Sequence, residues 1–167
     1  MTMKTTTNPE KHEPRDPNAK QIVSTNRRAR FEYEILETME AGIVLVGTEV
    51  KSLRAGRVNL QDAYCRVEHG EVWIYNMHIS PYEQGNRYNE EPLRRRKLLL
   101  HHKEILLVQA RMEQKGLALI PLSLYFRRGF AKLDIALGRG KKLYDKRQSI
   151  ADRDADRESR RAVVNRE

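Results

Sequence analysis

The run LALIPLSLYF (Leu117–Phe126) is followed by the short segment Arg127-Arg128-Gly129 and then by FAKLDIAL (Phe130–Leu137). Two largely apolar runs that are joined by a short turn containing glycine predict a β-hairpin. The chain around this hairpin is therefore expected to be mainly β.

A further hairpin is predicted upstream, where Ala63–Glu68 and Val72–Asn76 are joined across His69-Gly70. Ala63, Cys65 and Val67 alternate along the first of these strands, so Cys65 is expected to be a buried structural thiol. Because it is the single cysteine of the chain, an internal disulfide framework and a cysteine-based zinc site are excluded.

The folded body is expected to begin near Asn26. Phe31, Tyr33 and Ile35 alternate with glutamates, and the short apolar run Ile43–Val46 follows Ala41-Gly42. This pattern predicts a pair of strands that turn at Ala41-Gly42.

Two helices are predicted. Thr48–Gly56 begins with a capping threonine, has Glu49 in its first turn and ends at a glycine. His101–Lys115 shows a helical spacing of apolar residues and stops at Gly116. About six short strands with two helices, few of them in βαβ order, fit a small Greek-key barrel of the OB type. Residues 26–138 are predicted to form this barrel.

Residues 1–25 are predicted to form a disordered N-terminal arm. They are rich in Thr, Lys, Pro and Asn and have no apolar periodicity. They also lack the apolar run of a signal peptide, and no segment of the chain is long enough to span a membrane. We therefore expect a cytoplasmic protein.

Residues 139–167 form a charged tail with little to bury, and the basic stretch Gly138–Arg147 leads into it. Ser149 and Asp152 resemble a capping box at the start of a helix. That helix would have only a narrow face of small residues and several like-charge pairs, such as Arg153 and Arg157. We expect the tail to be largely unfolded alone and helical where its arginines meet phosphates. A merely solubilising tail is the alternative.

The charge balance favours phosphate-rich partners. The chain has 32 Lys and Arg against 23 Asp and Glu, a formal net charge of +9. The basic residues recur in five clusters, namely Arg27/Arg28/Arg30, Lys51/Arg54/Arg57, Arg94–Lys97, Arg127/Arg128 and Arg139–Lys142. Such clustering predicts binding of RNA or DNA, and Tyr88 is the best candidate for an exposed stacking platform. A basic protein without such a partner is the alternative.

Catalytic and cofactor sites are poorly supported. His101 and His102 are adjacent, so on a helix their side chains diverge by roughly 100° and cannot easily share a metal ion. Glu104 does not complete an HExxH motif, and the chain contains neither GxSxG nor GxxxxGK[ST]. We therefore expect no enzyme activity, no metal site and no cofactor.

Five segments of the chain resemble the SmpB family, the bacterial SsrA-binding proteins. In chain order they are NRRAR (26–30), EAG (40–42), GTEVKSLRAG (47–56), RKLLL (96–100) and GKKLYDKR (140–147). The resemblance implies an OB-type barrel that binds the tRNA-like domain of transfer-messenger RNA (tmRNA, or SsrA RNA). It implies no catalytic chemistry in the protein itself.

The same resemblance implies a role in trans-translation. The protein would deliver tmRNA to stalled ribosomes, which are rescued while their incomplete products are tagged for degradation. Its C-terminal tail would occupy the empty mRNA path near the decoding centre, against ribosomal RNA. Elongation factor Tu and alanyl-tRNA synthetase would be partners through the shared tmRNA.

The matching motifs and nearby basic residues assign two sets of candidate residues. The RNA-binding surface would comprise Asn26, Arg27, Arg28, Arg30, Glu40, Lys51, Arg54, Leu99 and Lys132. The ribosome-facing tail residues would be Lys141, Lys142, Tyr144, Asp145, Lys146, Arg147, Ala162 and Val163. The rival interpretations are an OB-type RNA-binding or ribosome-associated protein without tmRNA specificity and, more distantly, a metal-dependent hydrolase that uses His101 and His102.

Overall fold

A computed structural model describes residues 16–113 and 116–164. Its strands are β1 (Gln21–Thr25), β2 (Tyr33–Ile43), β3 (Val58–Asn59), β4 (Tyr64–Glu68), β5 (Glu71–Tyr75), β6 (His78–Ile79), β7 (Arg96–Leu99), β8 (Leu117–Arg127) and β9 (Phe130–Gly140). Its α-helices are α1 (Ala29–Glu32), α2 (Gly47–Arg54), α3 (His102–Met112) and α4 (Leu143–Val164), and a 3₁₀-helix spans Glu83–Tyr88.

Six of the strands close into a ring. Their order is β8-β4-β5-β7-β2-β9, and β9 pairs again with β8, always antiparallel. β1 extends the ring by pairing with β8, while β3 and β6 form a separate short pair. The predicted mainly β barrel of about six strands is therefore confirmed.

Both predicted hairpins are present, and the turn residues explain them. Arg128 and Gly129 have φ values of 51° and 78° between β8 and β9, and His69 and Gly70 have 49° and 74° between β4 and β5. Positive φ at both central residues is the requirement of the two-residue turn that matches the twist of paired strands. Turn chemistry therefore sets the register of both hairpins.

The core fills the interior of the ring, where alternate residues of the strands point inward. It includes Ile74 of β5, Leu98 of β7 and Ile135 of β9, all fully buried, and Leu53 of α2 and Val108 of α3 close it. Cys65 lies in the same core, and burial raises its pKa far above the ordinary thiol range. The predicted role of a buried structural thiol is confirmed.

The predicted turn at Ala41-Gly42 is wrong, because β2 runs without interruption from Tyr33 to Ile43. Gly42 instead lies directly opposite Leu99 of β7. A Cβ atom at position 42 would come within 3.2 Å of the Cβ atom of Leu99, so the glycine permits a close approach between two strands.

The boundary between the N-terminal arm and the barrel also needs correction. Residues 21–25, assigned to a disordered arm, form β1 and pair with the edge of β8. Val23 packs against the core, and the backbone groups of this part of β8 gain partners that they would otherwise lack. Residues 1–15 of the predicted arm lie outside the described part of the chain.

The tail contains a helix of 22 residues, α4, that starts soon after β9 ends at Gly140. Its predicted unfolding in isolation stays a prediction. Among the described residues, no helix is both long and apolar enough to cross a membrane.

Candidate nucleic-acid interface

Three of the predicted RNA-binding residues lie together on the outside of the barrel. Leu99 and Lys132 face Gly42 from its two sides, on β7 and β9. Glu40 is two positions from Gly42 on the same strand and therefore points to the same face. Leu99 is 53% exposed although it is apolar. We call Glu40, Leu99, Tyr125, Lys132 and Asp134 the Glu40 face.

Two carboxylates of this face share one tyrosine. The hydroxyl group of Tyr125 is in hydrogen-bonding contact with the Glu40 carboxylate and lies 2.9 Å from Oδ1 of Asp134. Because a hydroxyl carries one proton, it can donate to only one of the two at a time. Lys20 approaches Oδ2 of Asp134 at 2.9 Å and also lies over the Tyr125 ring.

Glu40 is held as an ionised acceptor. The hydrogen bond from Tyr125 lowers its pKa, and Arg127 at 3.3 Å and Lys132 at 3.9 Å add to this effect. Together they outweigh partial burial, which acts in the opposite direction. Burial and the two carboxylates raise the pKa of Tyr125, so it remains a protonated donor. A fixed carboxylate next to an exposed leucine can accept hydrogen bonds from a base amino group.

Sequence reasoning missed Lys20, Tyr125 and Asp134 as members of this arrangement. The available signal was the polar pair Ser123 and Tyr125 inside the otherwise apolar run of β8. Oγ of Ser123 lies 3.3 Å from Oδ2 of Asp134, so Ser123 and Tyr125 contact the same carboxylate.

Asn26 is held in place by buried hydrogen bonds. It is buried, its backbone N–H donates to the carbonyl of Leu122 at 2.7 Å, and its side-chain Nδ2 donates to the carbonyl of Pro121 at 3.0 Å. Its Oδ1 is buried without a hydrogen-bond partner in the described part of the chain. Asn26 thus fixes the segment that carries the neighbouring arginines.

The three arginines after Asn26 are exposed around α1. Arg28 forms an ion pair of 3.2 Å with Glu32, one turn further along. Arg27 and Arg30 line a cleft beside Asn26 and Ser123. The structure therefore leaves Arg27 and Arg30 available to a polyanion.

Lys51 and Arg54 are exposed on α2, but their contacts run to other parts of the surface. The amino group of Lys51 lies 5.3 Å from the centre of the Tyr82 ring, and the guanidinium of Arg54 lies 4.8 Å from that of Phe126. They form a region separate from the Glu40 contacts.

The four basic residues of the cluster Arg94–Lys97 all pair with carboxylates of the protein. Arg96 is only 1% exposed, and it donates to Glu49 at 2.5 Å and to the carbonyl of Met77 at 2.6 Å. Arg94 also binds Glu49, while Arg95 and Lys97 pair with Glu68 and Glu71 at 3.1 and 2.8 Å.

Glu49 is the residue that neutralises this cluster. Burial raises its pKa, but hydrogen bonds from Arg94, the Val46 backbone N–H and Arg96 lower it further, so the net pKa falls below the ordinary range. Sequence reasoning saw only its first-turn position in α2. Its two arginine partners lie more than 40 positions away, and no local pattern identifies them.

The candidate tail residues lie at the start and the end of α4. The backbone N–H of Lys141 donates to the carbonyl of Glu32 at 2.9 Å, and its Nζ approaches Oγ of Ser149 at 2.8 Å. Lys142, Asp145 and Arg147 are exposed, Lys146 is half-buried, and Ala162 and Val163 are exposed near the distal end. The side chains of Tyr144 and of Tyr88 fall outside the described residues.

The histidine pair does not form a metal centre in the described structure. Glu104, the acid near the pair, accepts a hydrogen bond of 3.0 Å from the His101 backbone N–H and so caps α3. Within residues 16–113 and 116–164, no group of three or more His, Cys, Asp or Glu side chains could hold a metal ion.

Comparisons with known proteins agree on one family. A family model described as "SmpB protein" matches residues 23–165. The SsrA-binding protein of Pelotomaculum thermopropionicum is 60% identical over 148 residues, which is 89% of this chain and 97% of the relative. That of Desulforudis audaxviator is 61% identical over 141 residues, 84% and 92% of the two chains.

A solved structure is similar as well. It is described as "tmRNA-SmpB: a journey to the center of the bacterial ribosome", and one of its chains is 55% identical with a TM-score of 0.62. The match covers 72% of this chain and 85% of that chain. Sequence and fold thus give the same relationship.

Proposed function

The chain belongs to the SmpB protein family, and on this premise we propose that it is an SsrA-binding protein. It binds the tRNA-like domain of tmRNA and delivers this RNA to stalled ribosomes for trans-translation. The stalled ribosomes are thereby rescued, and their incomplete products are tagged.

The Glu40 face is the observation that carries the proposal. Its ionised carboxylate can accept hydrogen bonds from guanine or cytosine amino groups. Leu99 offers an apolar surface to an unstacked base, and Lys132 adds a positive charge beside it. An acceptor, an apolar contact and a cation on neighbouring strands suit the splayed bases of folded RNA better than a uniform duplex.

The remaining RNA-binding candidates position the RNA through contacts with its backbone. Arg27, Arg28 and Arg30 reach backbone phosphates from the start of α1 and the two residues before it, and Asn26 fixes their segment on β8. Lys51 and Arg54 supply phosphate contacts from α2, at a second part of the surface.

The tail has a separate role in this proposal. Lys141, Lys142, Tyr144, Asp145, Lys146 and Arg147 contact ribosomal RNA near the decoding centre, and Ala162 and Val163 make a distal contact. Support comes from the short connection between β9 and α4, which lets the helix project from the barrel once its contacts with α1 are released.

In this proposal the barrel and the tail have different functions and different partners. Residues 26–138, extended by β1, hold the RNA, and residues 139–167 probe the empty mRNA path. Elongation factor Tu and alanyl-tRNA synthetase act on the shared tmRNA, the protein itself is not an enzyme, and it works in the cytoplasm where ribosomes translate.

Sequencing of the RNA captured by the purified protein tests the first half of the proposal. One dominant species with a tRNA-like domain is expected, whereas a broad pool would favour a general RNA-binding protein without tmRNA specificity. The variant Glu40→Gln should no longer enrich the dominant RNA species. Glu37→Gln on the same strand is the control and should enrich it as the wild type does.

Truncation after Leu143 tests the second half. The shortened protein should still bind the tRNA-like RNA through the Glu40 face, but tagging of stalled products should be lost, because the tail is required on the ribosome. Loss of RNA binding together with tagging would contradict this division.

A further inference from the structure

A cleft between α1 and α4 is lined from two sides by arginines. Arg27 and Arg30 come from the barrel side, and Arg153 and Arg157 come from the tail helix. Its floor is formed by Thr25, Asn26, Leu122 and Ser123. The cleft therefore exists only when the tail helix lies against the barrel.

Three of the four arginines of this cleft lack a protein counterion in the described part of the chain. Among the described residues, no ion pair involves Arg27, Arg30 or Arg153, and Arg157 has only a distant contact of 4.0 Å with Asp154. The guanidinium of Arg153 lies 5.3 Å from the centre of the Phe31 ring, which orients it without neutralising it.

Four cations around one cleft, of which only Arg157 has a distant carboxylate contact, repel one another when α4 is docked. Arg153 and Arg157 are one helical turn apart, a spacing at which like charges destabilise a helix. Docking of α4 then brings both next to Arg27 and Arg30. An anion in the cleft would remove this repulsion and would stabilise both the helix and its docked position.

We propose that Arg27, Arg30, Arg153 and Arg157 bind an RNA phosphodiester backbone that joins the tail helix to the barrel. Guanidinium groups can bind phosphate oxygens through two parallel hydrogen bonds, which gives the contact both strength and direction. All four arginines are exposed, so a polymer backbone can run along the cleft. The proposal deepens the proposed function and rests on it in taking the anion to be RNA.

The cleft links RNA binding to the position of the tail. With the phosphates in place, α4 is ordered and held on the barrel. When they leave, repulsion among the four arginines favours release of α4. Occupancy of the cleft would therefore decide whether the tail is stored on the barrel or is free to enter another site.

A double-mutant cycle on the full chain tests this inference. Arg27→Gln/Arg30→Gln and Arg153→Gln/Arg157→Gln are combined, and affinity for isolated tRNA-like RNA is measured over a range of salt concentrations. Each double variant is expected to lose about tenfold in affinity and to reduce the salt slope by about two, that is by about one for each lost phosphate contact. If one phosphate run is shared, the fourfold variant loses clearly less than the product of the two losses.

Arg160→Gln/Arg161→Gln is the matched control, because it removes the same charge from the same helix outside the cleft lining. Combined with Arg27→Gln/Arg30→Gln, it should give the product of the separate effects. Equal behaviour of the control and the test pair would overturn the proposal.

A second readout follows the position of the helix. Spin labels at Asp62→Cys and Glu158→Cys report the distance between barrel and tail, since both positions are exposed and native Cys65 is buried. RNA should narrow the distance distribution in the otherwise wild-type chain but not in Arg153→Gln/Arg157→Gln. An unchanged distribution in both proteins would refute the coupling.

Two RNA sources are compared with the same variants, namely isolated tRNA-like RNA and stalled ribosomes without it. If the losses in affinity are non-additive with isolated tRNA-like RNA, the bound phosphates belong to that RNA. If they are non-additive with stalled ribosomes, the phosphates belong to ribosomal RNA. If the wild type prefers neither over an unrelated RNA hairpin, the proposed function fails. The same double-mutant cycle, measured as affinity for the unrelated hairpin, then still decides whether the cleft binds phosphates.

Discussion

The clusters Arg94–Lys97 and Arg27–Arg30 look alike in the sequence but behave differently in the fold. In the first, Arg96 is buried against Glu49, and its three neighbours also pair with carboxylates. In the second, Arg27 and Arg30 remain exposed and unpaired within the described structure, and only Arg28 has a carboxylate partner. A basic cluster therefore stabilises the fold where carboxylates from distant parts of the chain pair with it. Where no such carboxylates are near, it is available to bind a partner.

The largest expected effect comes from breaking the buried pair. Glu49→Gln should lower the free energy of unfolding by about 3 kcal/mol, because the charge of Arg96 is then buried without a counterion. Urea unfolding measures the change, and Glu71→Gln, which removes the exposed partner of Lys97, should cost far less, because solvent screens an exposed pair. Equal losses in the two variants would mean that burial does not distinguish the two pairs.

A smaller effect is expected at the Glu40 face, and it should appear in binding. Lys132→Ala should lower the affinity for tRNA-like RNA by about tenfold at fixed salt, because a contact near the bases is lost. Its free energy of unfolding should change by less than about 1 kcal/mol, since the side chain is at the surface. Lys103→Ala, an exposed charge on α3, is the control and should bind normally.

Acid should weaken the contribution of Glu40. Its pKa is lowered in the folded state, so its stabilisation is fully present above the ordinary glutamate pKa of 4.5 and is lost as pH falls through the lower folded value. Glu40→Gln does not titrate at this position. The difference in free energy of unfolding between wild type and this variant should therefore shrink below pH 4.5, and a constant difference would contradict the shift.

The smallest effect is expected where an arginine is paired but exposed. Arg57 forms an ion pair of 3.2 Å with Glu83 in which both side chains are largely solvated. Arg57→Gln should change the free energy of unfolding by less than about 0.5 kcal/mol, as is usual for surface pairs. A loss near that of Glu49→Gln would show that pairing alone, rather than burial, sets the cost.

Local chemistry explains which parts of the fold could be predicted. The hairpins followed from His69-Gly70 and Arg128-Gly129, whose positive φ values match the required turn. The turn predicted at Ala41-Gly42 was wrong because a glycine is needed both at turns and at close strand contacts. Only the position of Leu99, opposite Gly42, distinguishes the two.

Part of the candidate site could be predicted, but from the family resemblance and not from local chemistry. Glu40, Leu99 and Lys132 were assigned through the family resemblance, and the pairing of β2 with β7 and β9 brings them together. Tyr125 and Asp134 could not be added, because their role depends on register between strands. The pairing of Arg96 with Glu49 depends likewise on contacts far apart in the chain.

The pairing of β1 with β8 has a consequence for the biosynthesis of this protein. Asn26, which directly follows β1, has its hydrogen-bond partner Pro121 95 positions further along the chain. Because such distant contacts are slow to form and depend on late segments, the barrel cannot close until most of the chain has left the ribosome. A copy whose own translation stops before β8 has no partner for β1 and no closed ring, so it would emerge as an unfolded chain, open to proteolysis.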